Sequence, residues 1–118
     1  MNSKEAIQNY LFAERVKTNL ITVSQMIPVL CELKGAEKTG AKRMLKILIG
    51  SINQDLIIAY NKSKKAEFLE ASGILENSEN MIDNEDFDDF SLAVGKAMTK
   101  ATTPAQQAWQ VLSENEFV

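Results

Sequence analysis

Apolar residues recur in alternating three- and four-residue steps near the start of the chain: Ala13, Val16, Leu20, Val23, Ile27 and Leu30. With about 3.6 residues per turn, that spacing draws one seam down one side of a helix. The spacing predicts a helix over residues 3–34, capped by Ser3, with Glu5 suited to the positive end of its dipole. Pro28 lacks a backbone donor and crowds the carbonyl of Ser24. The apolar steps continue to Leu33, so the expected result is a kink, with Gly35 as the stop.

A second long helix is expected over residues 37–62. Ala41, Leu45, Leu48, Ile52, Leu56 and Ala59 share one face, and Met44, Ile47, Ile49, Ile57 and Ile58 make its other faces apolar. That pattern marks it as the central, most enclosed helix. Gly50-Ser51 in its middle allow a close approach or a bend. The β-branched runs 46–49 and 56–60 leave two short strands as a competing assignment.

Three shorter helices complete the expectation. Residues 64–75 carry Phe68, Leu69 and Ile74; the polar stretch 76–80 reads as a loop. Residues 84–100 carry Phe87, Phe90, Val94, Ala97 and Met98 on one side. Thr103 as cap, Pro104 at the first helical position and Gln106 behind them then open a last helix holding Trp109 and Leu112. The fold class is therefore all-α: a compact helical bundle of about five helices, two long, the first kinked at Pro28, and three shorter. A single helical domain spans residues 1–118.

Composition narrows the chemistry. The chain has 118 residues, 45% apolar and 25% charged, the proportions of a folded domain with one core. There is no histidine, which removes the Ser-His-Asp triad, histidine zinc sites and a histidine pH switch. The lone Cys31 lies in the run Val29-Leu30-Cys31 and reads as a buried, reduced thiol. No apolar run approaches the roughly 20 residues that span a bilayer. The expectation is a cytoplasmic protein with no membrane contact and no cofactor.

Charge changes the picture more. Residues 1–65 hold 11 Lys or Arg against five acids, a net +6, whereas residues 66–118 hold two lysines against 11 acids, a net −9. Such a split can be paired within one fold, favour self-association, or offer faces to a polyanion and to another protein. Lys38, Lys42 and Lys46 stand four apart beside Arg43, near the start of the second helix. Cations there oppose the helix dipole, so these four form a candidate anion or nucleic-acid site. Asp83, Glu85, Asp86, Asp88 and Asp89 gather at the expected start of the fourth helix. Acids suit that position, and their natural counterpart is a partner's basic surface or the basic second helix of this chain.

Glu67-Phe68-Leu69-Glu70 and Glu85-Asp86-Phe87-Asp88 each place two acids three apart on one helix face. The pairs are similar to the two acidic motifs of the all-α nucleoside-triphosphate pyrophosphohydrolases, over residues 67–88 alone. That resemblance implies Glu67, Glu70, Glu85 and Asp88 as Mg²⁺ ligands for phosphate chemistry. Trp109, with Phe117 beyond it, reads as a core anchor closing the bundle or, alternatively, a docking patch.

The reading that best fits missing catalytic groups and long helices is a small non-catalytic interaction module: a subunit, adaptor or regulator binding a protein partner or a second copy. A nucleic-acid-associated protein using the basic second helix and the Mg²⁺-dependent hydrolase are the alternatives.

Overall fold

In the computed structural model, residues 2–115 are described, and they form four helices. These are α1 (Ser3–Glu32), α2 (Gly35–Ser63), α3 (Ala66–Asp83) and α4 (Phe87–Glu114). α1 packs against α2 and α4, and α3 packs against the same two, so the helices close a ring. Connections of two or three residues force each helix to run antiparallel to the one before it. The bundle is a rod, 53 × 23 × 18 Å between Cα atoms.

The seam expected on α1 is the seam observed: Ala13, Val16, Leu20, Val23, Ile27 and Leu30 are all buried. Helix α1 passes Pro28 and continues to Glu32. Its cap is Asn2 in place of Ser3. The Asn2 side chain accepts from the Glu5 amide at 2.9 Å, and the Glu5 carboxylate accepts from the Asn2 amide at 3.4 Å. This reciprocal box satisfies two donors, which a cap at Ser3 would not. Leu33 caps the other end in extended geometry, so Gly35 opens α2, with φ +61°, instead of closing α1.

Four helices replace the expected five because the last two are one, and α3 runs further than expected. The polar stretch 76–80 is helical because Ser78 lies fully buried on the stripe Phe68, Ala71, Leu75, Ser78, Ile82. Its hydroxyl donates to the Leu75 carbonyl at 2.7 Å, which lets a serine occupy a core position. Pro104, expected to begin a new helix, sits inside α4. The small residues Ala97, Ala101, Ala105 and Ala108 carry one buried stripe straight past it. Thr102 and Thr103 do not cap: both hydroxyls donate back to the Thr99 carbonyl at 3.1 Å.

α2 is one unbroken helix, and no strand occurs among the described residues. Its buried line is Leu45, Ile49, Ile52, Leu56 and Ala59, with Leu48 only half-buried beside it. The helix is not the most enclosed of the four, since Met44 is 71% and Ile47 74% exposed. No close approach occurs at Gly50, where a β-carbon would meet nothing within 4 Å. Midway along the contact of α2 with α3, Asn53 accepts from the Ser72 hydroxyl and donates to Glu76 at 3.3 Å. Phe12 of α1 meets Phe68 of α3 edge-on, with ring centroids 6.5 Å apart.

Candidate functional site

The buried line of α2 extends backwards in the same rhythm from Leu45 to Lys42 and then Lys38. α3 ends at Asp83, opposite Lys42 and Lys46, so the first turns of α2 run on past it. What faces them is the turn 84–86 that joins α3 to α4. Lysines on a core line need partners, and the turn supplies them. Lys38 pairs with Glu85 at 2.6 Å and Lys42 with the other carboxylate oxygen at 3.7 Å. Lys42 also donates to the Asp83 carbonyl at 3.2 Å, and Lys46 reaches the Asp83 carboxylate at 2.9 Å. Lys38 and Lys42 keep only 23% and 20% of their side chains exposed. The Lys38 ammonium also stands 5.5 Å from the Phe87 ring centre.

The basic and acidic candidates therefore meet each other. Three lysines of the first group are engaged by two acids of the second; Arg43 is exposed and makes no ion pair among the described residues. The hydrogen bond from Lys38 is the main reason the Glu85 carboxyl titrates below its ordinary range, with the charges of Lys38 and Lys42 adding to it. Asp83 ends α3 and Glu85 lies in the turn, whereas Asp86 is the N-cap residue of α4, without a side-chain cap bond. Asp88 and Asp89 stand in the first turn of α4, where acids favour the dipole.

Backbone geometry aims Glu85. The Glu85 amide bonds to the Ile82 carbonyl at 3.1 Å and the Asp86 amide to the Met81 carbonyl at 2.9 Å. That pair of bonds closes a helix in the Schellman manner, which needs a left-handed residue between them. Glycine is usual there; here Glu85 takes φ 59°. No sequence signal marked this, because the turn has no glycine.

The two E-x-x-acid pairs are not brought together. Glu67 and Glu70 stand in the first turns of α3, whereas Glu85 and Asp88 follow its far end. α3 has 18 residues, a separation of roughly 27 Å along the rod. Glu70 instead pairs with Lys100 at 2.7 Å, a hydrogen bond that raises the lysine's pKa. Among the described residues no group of three or more His, Cys, Asp or Glu is placed to hold a metal ion.

Two surface features differ from expectation. Cys31 is exposed, since the seam residues are Ile27 and Leu30 and the next position turns outward. Trp109 is 50% exposed, lying against Tyr10 at 6.3 Å between ring centres on the outer side of α1 and α4. Phe117 lies outside the described residues.

Sequence reasoning did not single out the groove between the C-terminal turns of α1 and the first turns of α2. Met26, Val29 and Leu33 line one wall and Ala41 and Leu45 the other, around a cavity of about 250 Å³. Val29 is 58% exposed at its mouth. The signal was present: Met26, Val29 and Leu33 sit at three- and four-residue steps beside the main seam.

No helix among the described residues is long and apolar enough to cross a membrane. Compared with family models, curated proteins and solved structures, the chain matches none of them.

Proposed function

We propose that the chain is a non-catalytic helical interaction module, a subunit or adaptor of the cytoplasm that binds a protein partner or a second copy of itself. The observation that carries this reading is the apolar groove between α1 and α2 near their connection. Its wall residue Val29 exposes a large apolar side chain, and Met44 and Ile47 expose theirs in the first half of α2. An open apolar groove with exposed apolar side chains fits association better than solvation. The internal pairing of Lys38, Lys42 and Lys46 supports the same reading, because it leaves little of that basic group for a nucleic acid. The lone exposed thiol of Cys31 fits a reducing compartment.

Light scattering at low and high salt tests the proposal, on the wild type and on Val29→Glu with Met44→Glu. The expected result is a mass above the 13.1 kDa of one chain, or a stable complex with a partner from native extract. Either survives high salt and is lost in the double variant. A monomer at both salts that recovers no partner, or association unchanged by the two glutamates, overturns it.

A further inference from the structure

At the other end of the rod, the turn from α2 to α3 carries Lys62, Lys64 and Lys65, and none of the three makes an ion pair among the described residues. They line a polar cleft of about 340 Å³ together with Gln8, Ser63 and Glu5. Among the described residues Glu5 is the only acid on its wall, and its carboxylate also accepts from the Asn2 amide at 3.4 Å. Aromatic faces hold two of the ammonium groups: Lys62 stands 5.9 Å from the Phe12 ring centre and Lys64 5.5 Å from that of Tyr60. A carboxylate neutralises a lysine, as Glu85 does for Lys38; a ring positions the ammonium and leaves its charge whole.

Lys62 and Lys64 also suit the negative end of α2, which accounts for cations there without any ligand. That account does not extend to Lys65, which is the cap residue at the positive end of α3. No side chain caps that end, and the Phe68 amide bonds to the Lys65 carbonyl at 3.1 Å.

We infer that this cleft binds the oligophosphate group of a small ligand. Three lysines that make no ion pair among the described residues, against one glutamate, line a polar hollow and match a chain of two or three phosphates. The interaction face of the previous section is at the opposite end, so the two sites stand or fall separately.

Inorganic tripolyphosphate titrated into the full chain at physiological salt, followed by amide NMR, tests this. The expected result is a saturable shift at Gln8, Lys64, Lys65 and Ala66, with affinity falling about tenfold or more in Lys62→Gln with Lys65→Gln. Lys62→Arg with Lys65→Arg keeps the binding, and Lys38→Gln with Lys42→Gln leaves it unchanged. ATP in a parallel titration reports whether a nucleoside adds to phosphate recognition. No saturable shift at millimolar tripolyphosphate, or equal losses in the Lys62/Lys65 and Lys38/Lys42 glutamine variants, overturns the inference.

Discussion

Glu85 does two jobs that a glycine or a glutamine would separate. It takes the left-handed backbone position that closes α3, and it turns its carboxylate onto Lys38 and Lys42. Glycine would remove the backbone strain and the charge together; glutamine would keep the strain and remove only the charge. Glu85→Gln is therefore expected to be less stable than Glu85→Gly in urea unfolding, while both lose the ion pairs. The pH dependence has a definite sign. The carboxyl titrates lower in the folded protein than in the unfolded chain. Its contribution is present above the ordinary glutamate range and is lost as pH falls through the lowered folded value. Between those two values the wild type loses stability relative to Glu85→Gln, and a parallel pair of pH–stability curves would contradict the pairing. The same residue scale explains the missed turn: a glutamate in a glycine position gives no sequence signal.

At the scale of one helix, α2 shows how little a uniformly apolar sequence says about orientation. Apolar residues on several faces allow more than one three-and-four reading, and Leu48 and Ile49 are equally good candidates for the core line. Packing against α1 and α3 buries Ile49 and turns Ile47 outward. Ile49→Ala is expected to cost about 2–5 kcal/mol, because it removes a buried side chain and leaves a cavity. Ile47→Ala is expected to change stability by no more than about 0.5 kcal/mol. Denaturant midpoints of the two variants check the register directly, and equal losses would mean the helix is rotated from the orientation described. The continuous α4 follows from similar physics. Thr103-Pro104 is a sound start signal locally, but a stripe of buried alanines on both sides of it packs α4 along α1 as one helix.

Across the whole molecule, one large cluster of buried side chains runs through all four helices, and a small satellite of Ala6, Ala108 and Leu112 sits at the chain-terminal end. Tyr10 and the backbone of α1 join the two, so unfolding is expected to be a single cooperative transition. The sole tryptophan, Trp109, lies beside the satellite and half exposed, so its fluorescence reports that end alone. Its urea transition should coincide with the loss of helix by circular dichroism; an earlier fluorescence transition would mean that the satellite end frays independently. The charge division also acts at this scale. Among the described residues, the three ion pairs that join the basic and acidic halves of the chain all gather where the short α3 ends and the turn 84–86 faces α2. Lys62, Lys64 and Lys65, in the same basic half, make no ion pair among the described residues.

The sequence alone determined the helical class and the seam of α1, because an amphipathic period is a local property that any packing must respect. It also located the basic and acidic groups and named the second helix as a counterpart for the acids. Tertiary structure decided the rest. Whether Thr103-Pro104 starts a helix, whether a serine can be buried, and which face of α2 turns inward depend on what lies across the core. Which lysines are neutralised depends on where α3 ends, and that is fixed by the lengths of helices packed side by side.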